Sequence, residues 1–260
     1  GGGGGAGGAG GIGGGGGTGG AGGQGGTGGS AGNPGGPTVG DYETSGCATS
    51  VVLGLSTQIA NEMECMDPSA LASFGEGGGI TFTGSAVLPY LDPSAITDLQ
   101  AAAADAGSLQ ILSGFRTVAQ QYLLYRWFQN GRCGISAAAT PGNSNHETGR
   151  AVDLSNWSSA VGAMTAHGWS HDVPGDDAHF DHLSSPDLRG RDVTAFQRLW
   201  NLNHRNDTIP EDGTWNTTTE SRLVMSPAGG FGIGSTCGRI LFDPAQLLVG
   251  RPDAPPESAE

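Results

Sequence analysis

The chain has 260 residues, and 26 of its 50 glycines fall in the first 40 positions, a stretch without a charged residue that cannot build a core. The formal net charge is −14 and all eleven basic residues are arginines, scattered from Arg116 to Arg251, which argues against binding to a phosphate backbone. No apolar run approaches the roughly 20 residues that a membrane span needs, so a transmembrane helix is excluded.

Residues 1–40 read as a flexible Gly-rich tether, and folded sequence begins near Asp41. Val52, Leu55, Ile59 and Met63 recur at helical spacing, and Ile80 to Leu88 suggests two short strands. Asp92-Pro93-Ser94 opens a helix that runs to Ala106 and stops at Gly107. Leu109 to Leu112 is a buried strand that delivers Ser113, Gly114, Phe115 and Arg116 to its end. Thr117 caps a helix through Gln129, residues 137–149 form a loop, and Ala151 to Leu154 returns as a strand. Trp157 to His167 is helical, and Ala178 to Leu183 is a strand with His179 and Asp181 on one face and Phe180 and His182 on the other. This α+β order gives way after Pro186 to two helices, Asp192 to Asn203 and Thr214 to Met225, around a turn at Glu211-Asp212-Gly213. The expected organisation is a tether at 1–40, a mixed domain at 41–187, a small all-α module at 188–237 and an extension at 238–260.

The four cysteines, Cys47, Cys65, Cys133 and Cys237, lack a CxxC pair and read as two disulfides, hence an oxidising compartment. Three connectivities are open; in one of them Cys237 reaches Cys133 and leaves Cys47 with Cys65. A chain beginning at Gly1 without Met or an apolar leader matches what a processed secreted protein looks like. The expected location is secreted or cell-surface/periplasmic, tethered through the glycine-rich segment.

The segment from Ser144 to Asp153, followed by Asp176 and His179, carries the chemistry. A catalytic zinc takes three nitrogen or oxygen donors and keeps a fourth position for water, and His146, Asp153 and His179 supply such a set. Gly149 between the first two permits the turn that would bring a loop histidine and a strand aspartate together. Spacing alone is equally compatible with a surface loop.

Ser144, His146, Gly149, Ala151 and Asp153 fill every position of SxHxxGxAxD, which resembles the signature of the zinc D-alanyl-D-alanine carboxypeptidase family. Ser113-Gly114-Phe115-Arg116 is similar to that family's SGYR element, with Gln121 following, and Asp176 with His179 matches its DxxH or ExxH. The resemblance covers about residues 48–185. It implies the Hedgehog/DD-peptidase fold with a small antiparallel sheet, and Zn2+ held by His146, Asp153 and His179. It further implies Asp176 as general base, Arg116 as partner of a substrate carboxylate, and Ser144 and Gln121 as hydrogen-bonding groups for substrate. Alternatives stay open: His182 as third ligand, Asp177 as base, and Arg116 in a structural ion pair. Glu147 is expected as a solvated loop charge, and His167 and His171 as capping or surface residues.

Val193 to Trp200, Asp212-Gly213 and Thr218 to Leu223 resemble the peptidoglycan-binding repeat VxxFQxxxxL…DGxxGxxTxxxL. Asn216 replaces its second glycine, a residue that tolerates left-handed backbone better than most. Together these resemblances imply a D-alanyl-D-alanine carboxypeptidase acting on peptidoglycan stem peptides and held to the cell wall by its C-terminal module. The alternatives are an L-alanyl-D-glutamate-type endopeptidase, which DxxH resembles, and a non-catalytic wall-binding protein.

Overall fold

The computed structural model describes residues 36–238; most of the expected tether, 1–35, and the extension from 239 to 260 lie outside the described residues. The helix expected from Leu55, Ile59 and Met63 is α1 (Leu53–Met66), and all three side chains are buried. Three short strands follow: β1 (Ala72–Ser73), which lacks any alternation signal, β2 (Ile80–Phe82) and β3 (Tyr90–Leu91), with β1 and β3 paired antiparallel. Helix α2 (Pro93–Ala106) starts and stops as its residues dictate. Asp92 Oδ1 accepts from the Ser94 N–H at 2.9 Å, Pro93 sits where no helical N–H partner is needed, and Gly107 ends it at φ 74°.

Strand β4 (Leu109–Ser113) leads into α3 (Val118–Gln129), whose Gln120 Oε1 accepts from the Thr117 N–H at 3.3 Å. Then come β5 (Ala151–Leu154), α4 (Trp157–Ala166) and β6 (His179–Asp181). The last strand stops before Leu183 because the chain turns, with the Ser185 N–H donating to the His182 carbonyl at 3.0 Å. The main sheet has the order β2-β4-β5-β6. Its last three strands are antiparallel, while β2 and β4 are parallel, a pairing that needs a crossover and has α2 to supply it. The α+β class stands. Leu99, Leu109, Ile111, Val152, Met164 and Phe180 join the sheet to α2 and α4 in one apolar core.

Beyond the sheet, α5 (Arg191–Asn203) and α6 (Thr217–Met225) are the last helices of the described residues. Helix α5 packs on α1, and Leu55, Ile59, Phe196, Leu199 and Leu223 belong to a single apolar cluster. Buried Glu62 of α1 accepts from Arg198 Nε at 2.6 Å and from the Thr236 N–H at 2.7 Å. Asn216 is extended at φ −148°, so its tolerance of left-handed backbone is not called upon. It serves as the N-cap of α6, its Oδ1 accepting from the Thr218 and Thr219 N–H groups at 2.9 and 3.0 Å.

The disulfides are Cys47–Cys133 and Cys65–Cys237, one of the three connectivities left open by the sequence and not the one that joins Cys237 to Cys133. The physical reason is the path of the N-terminal segment along α3. Trp127 Nε1 donates to the Tyr42 carbonyl at 2.8 Å and Arg126 pairs with Glu43 at 3.1 Å, so Cys47 arrives where α3 hands over to Cys133. Cys65, on the helix that faces α5, is left for Cys237. Among the described residues no helix is long and apolar enough to cross a membrane.

Candidate metal centre

Three separate stretches of chain meet at one point. Strands β5 and β6 pair with Asp153 opposite His179, and β4 contributes Ser113 opposite Asp153 on the other side. Side chains directly opposite on neighbouring strands share a face, so the register alone brings Asp153 and His179 together. His146 comes from a 3₁₀ turn, Asn145–Thr148, which ends at Gly149 with φ 74°. That backbone angle favours glycine, and a Cβ there would lie 2.8 Å from Leu71 Cδ2, so the end of that side chain would have to shift.

His146 Nε2 and His179 Nδ1 lie 3.0 and 3.1 Å from the same oxygen, Asp153 Oδ1, and all three residues are buried. Among the described residues these form the one group of His, Cys, Asp or Glu donors close enough to share a metal ion, within 4.8 Å of one another. The outer nitrogens are tied off in the way a metal site requires. His146 Nδ1 donates to the Gly114 carbonyl at 2.8 Å, and His179 Nε2 lies 3.2 Å from Asp181 Oδ1. Each ring therefore turns its other nitrogen inward. The donor chemistry, two imidazoles and a carboxylate oxygen, fits a metal ion of the zinc type.

Electrostatics follow from this packing. Burial alone would raise the Asp153 carboxyl, but His146, His179 and Arg116 outweigh it and hold that carboxyl well below the usual carboxylate range. Burial pulls His179 down, yet its bonds to Asp153 and Asp181 prevail and push it up to about 10. His146 is lowered by burial and then by the Arg116 charge.

Arg116 is buried and its guanidinium grips the centre from behind: Nη2 to Asp153 Oδ2 at 3.0 Å, Nε to Ser113 Oγ at 3.2 Å, Nη1 to Gln121 Oε1 at 3.2 Å. The ion-pair alternative is thus present in the structure, and its partner is the aspartate of the donor set itself. Gln121 also donates through Nε2 to the Ala139 carbonyl at 2.9 Å. Ser144 caps the 3₁₀ turn, its Oγ accepting from the His146 N–H at 3.3 Å. Asp176 is half-buried near the donor set. Burial first, then the Asp153 charge, raises its carboxyl pKa. Asp177 is exposed.

His182 lies on the other face of β6 and is held by Asp98 at 2.8 Å and Ser185 at 2.8 Å, outside the donor set. His167 is a surface partner of Asp105 at 2.6 Å. Glu147 is fully buried, which corrects its expected place as a solvated charge. Its carboxylate folds back onto the Gly142 and Ser144 N–H groups at 2.8 and 2.9 Å and meets buried Asp192 of α5. Burial raises both carboxyls, and for Glu147 the charge of Asp192 adds to it. Two residues of the site escaped sequence reasoning. Asp181 orients His179, and Asn145 in turn donates through Nδ2 to Asp181 Oδ2 at 2.9 Å. The available signal was the two-residue spacing of His179 and Asp181 along one strand face.

Residues 92–173 match the family model described as VanY, D-alanyl-D-alanine carboxypeptidase. The match takes in Arg116, Gln121, Ser144, His146 and Asp153, and ends just before Asp176 and His179. A search of curated proteins gives no match. The family match supports a peptidase of the D-alanyl-D-alanine carboxypeptidase kind.

Proposed function

Since residues 92–173 carry the sequence of the D-alanyl-D-alanine carboxypeptidase family, we propose that this protein is a secreted zinc peptidase that removes the terminal D-Ala from peptidoglycan stem peptides. The observation that carries the reading is the convergence of His146 Nε2, Asp153 Oδ1 and His179 Nδ1, with the outer nitrogens occupied and Asp176 alongside. Zinc held by these three residues would supply Lewis acidity towards the scissile carbonyl and the attacking water.

The chain's own residues do the rest. Asp176 takes the proton from the attacking water and returns it to the leaving amine nitrogen, which its half-buried, raised carboxyl suits. Arg116 fixes Asp153 through Oδ2, leaving Oδ1 for the metal, and places a positive charge where negative charge develops. Ser144 and Gln121 serve substrate by exchanging their present bonds for bonds to the peptide backbone. The α5–α6 segment, which resembles a wall-binding repeat, brings the enzyme to peptidoglycan. Two disulfides support an oxidising compartment.

A stem pentapeptide tests the bond cleaved. If Arg116 also recognises the free C-terminal carboxylate while it keeps Asp153, amidating that terminus should lower kcat/KM by about 10-fold or more, the scale of losing one charge-assisted hydrogen bond. Equal cleavage of amide and acid would favour the endopeptidase reading. Two observations give that reading weight: Asp176 stands where carboxypeptidases often have Glu, and the Arg116 guanidinium is already engaged by Asp153. A second measurement addresses the metal. Asp181→Asn should weaken Zn2+ binding by about 10- to 100-fold, the usual cost of losing a ligand's outer hydrogen-bond partner, as read by competition with a chromogenic chelator. Unchanged affinity would remove Asp181 from the site.

A further inference from the structure

His171 is clamped between two aromatic rings. Its imidazole stacks on Phe180 with centroids 4.6 Å apart and planes at 24°, and on Trp157 at 5.7 Å and 25°. From that clamp, Nε2 lies 2.8 Å from the carbonyl oxygen of Asp177. A carbonyl only accepts, so Nε2 carries the proton and donates. The peptide so gripped joins Asp177 to Ala178, and its N–H is the one that donates to Asp176 Oδ1 at 3.2 Å.

The connection between His171 and β6 needs such a tie. Several of its hydrogen bonds run within the connection and its end: Asp176 N–H to the Val173 carbonyl at 3.3 Å, His179 N–H to the Asp176 carbonyl at 3.3 Å, and Ala178 N–H to Asp176 Oδ1 at 3.2 Å. These shape the turn without attaching it to anything else. Its far end is secured to β5, where the Leu154 N–H donates to the Ala178 carbonyl at 2.9 Å. The Asp177–Ala178 peptide, whose N–H engages the Asp176 carboxylate, is held by His171. Trp157 belongs to α4 and Phe180 to β6, so the clamp refers that peptide to two fixed elements of the fold.

We propose that His171 is a positioning residue for the general base: its hydrogen bond to the Asp177 carbonyl, delivered from the Trp157–Phe180 clamp, aims the Asp176 carboxylate at the donor set. The proposal rests on the reading of Asp176 as base. A misplacement of order 1 Å at a reacting group costs up to about 100-fold in rate, so a tie of this kind has a kinetic signature.

The test separates the bond from the stacking, and the loop from the metal. His171→Phe keeps the ring and removes the donor, whereas His171→Gln restores an N–H near the position of Nε2. The expected results are a fall in kcat of about 10- to 100-fold for His171→Phe, with KM and zinc content unchanged, and recovery of most of that loss in His171→Gln. Both keep bulk at the site, so a folding failure of His171→Ala would not remove the test; thermal melting accompanies each. Combining His171→Phe with Asp176→Asn supplies the decisive arm. If His171 works through Asp176, the double variant is no slower than Asp176→Asn alone. Multiplying losses, or full kcat in His171→Phe, overturns the proposal while leaving the base in place. Full kcat in Asp176→Asn alone overturns the base assignment and the proposal with it.

Discussion

Asp176→Asn is expected to retain zinc and to lose at least ~100-fold in kcat, the scale on which removal of a general base acts. Asn is nearly isosteric and its Oδ1 can still accept from the Ala178 N–H, the bond that shapes this turn, so the loop should keep its form. What disappears is the capacity to take a proton. The pH profile adds a second signature. Burial, followed by the nearby Asp153 charge, raises the Asp176 carboxyl, and a base works only when deprotonated. Activity of the wild-type protein should therefore fall as pH drops through the titration of Asp176, and that contribution to the acid limb should be missing from the residual activity of Asp176→Asn. Asp177→Asn, which changes an exposed side chain, is the control. Wild-type turnover in Asp176→Asn, with a slow Asp177→Asn, would move the role by one residue.

His146→Ala should lose both zinc and hydrolysis. Loss of an outer partner of a ligand costs about 10- to 100-fold in metal affinity, so loss of a ligand itself should exceed ~100-fold. The fold should survive, because Asp153 keeps Arg116 at 3.0 Å and His179 at 3.1 Å and is not left as a lone buried charge. The main structural loss is the partner of the Gly114 carbonyl, worth roughly 1–3 kcal/mol. Elemental analysis of the purified variant, beside its melting temperature, reads both effects. A folded His146→Ala protein with one zinc per chain would sink the ligand assignment.

The elements legible in the sequence were those whose signals are local. Helix α2 announces its start through Asp92 and Pro93 and its end through Gly107, because capping is decided within four residues of chain. The His146, Asp153 and His179 set was legible because ordered residues on short stretches of chain fill motifs that resemble a known family's; their spacing alone was equally compatible with a surface loop. The strand period also put His182 on the face opposite His179, where the structure finds it bound to Asp98 and Ser185.

What required the tertiary structure was every contact between residues far apart in the chain. The pairing of Cys47 with Cys133 and Cys65 with Cys237 follows from how the N-terminal segment runs along α3 and how α5 lies on α1, and neither path is written in the spacing of cysteines. Glu147 looks like a solvated charge until α5 brings Asp192 against it and water is excluded from both. Arg116 was identifiable as a site residue from its motif, yet its grip on Asp153 Oδ2 arises only because β4 pairs with β5 and sets Ser113 opposite Asp153. Composition, caps and periodicity thus determined the elements, since those depend on local backbone geometry, and the motifs pointed to the donor residues. The tertiary structure decided which charges are paired and which are buried, since both depend on what the rest of the chain packs against them.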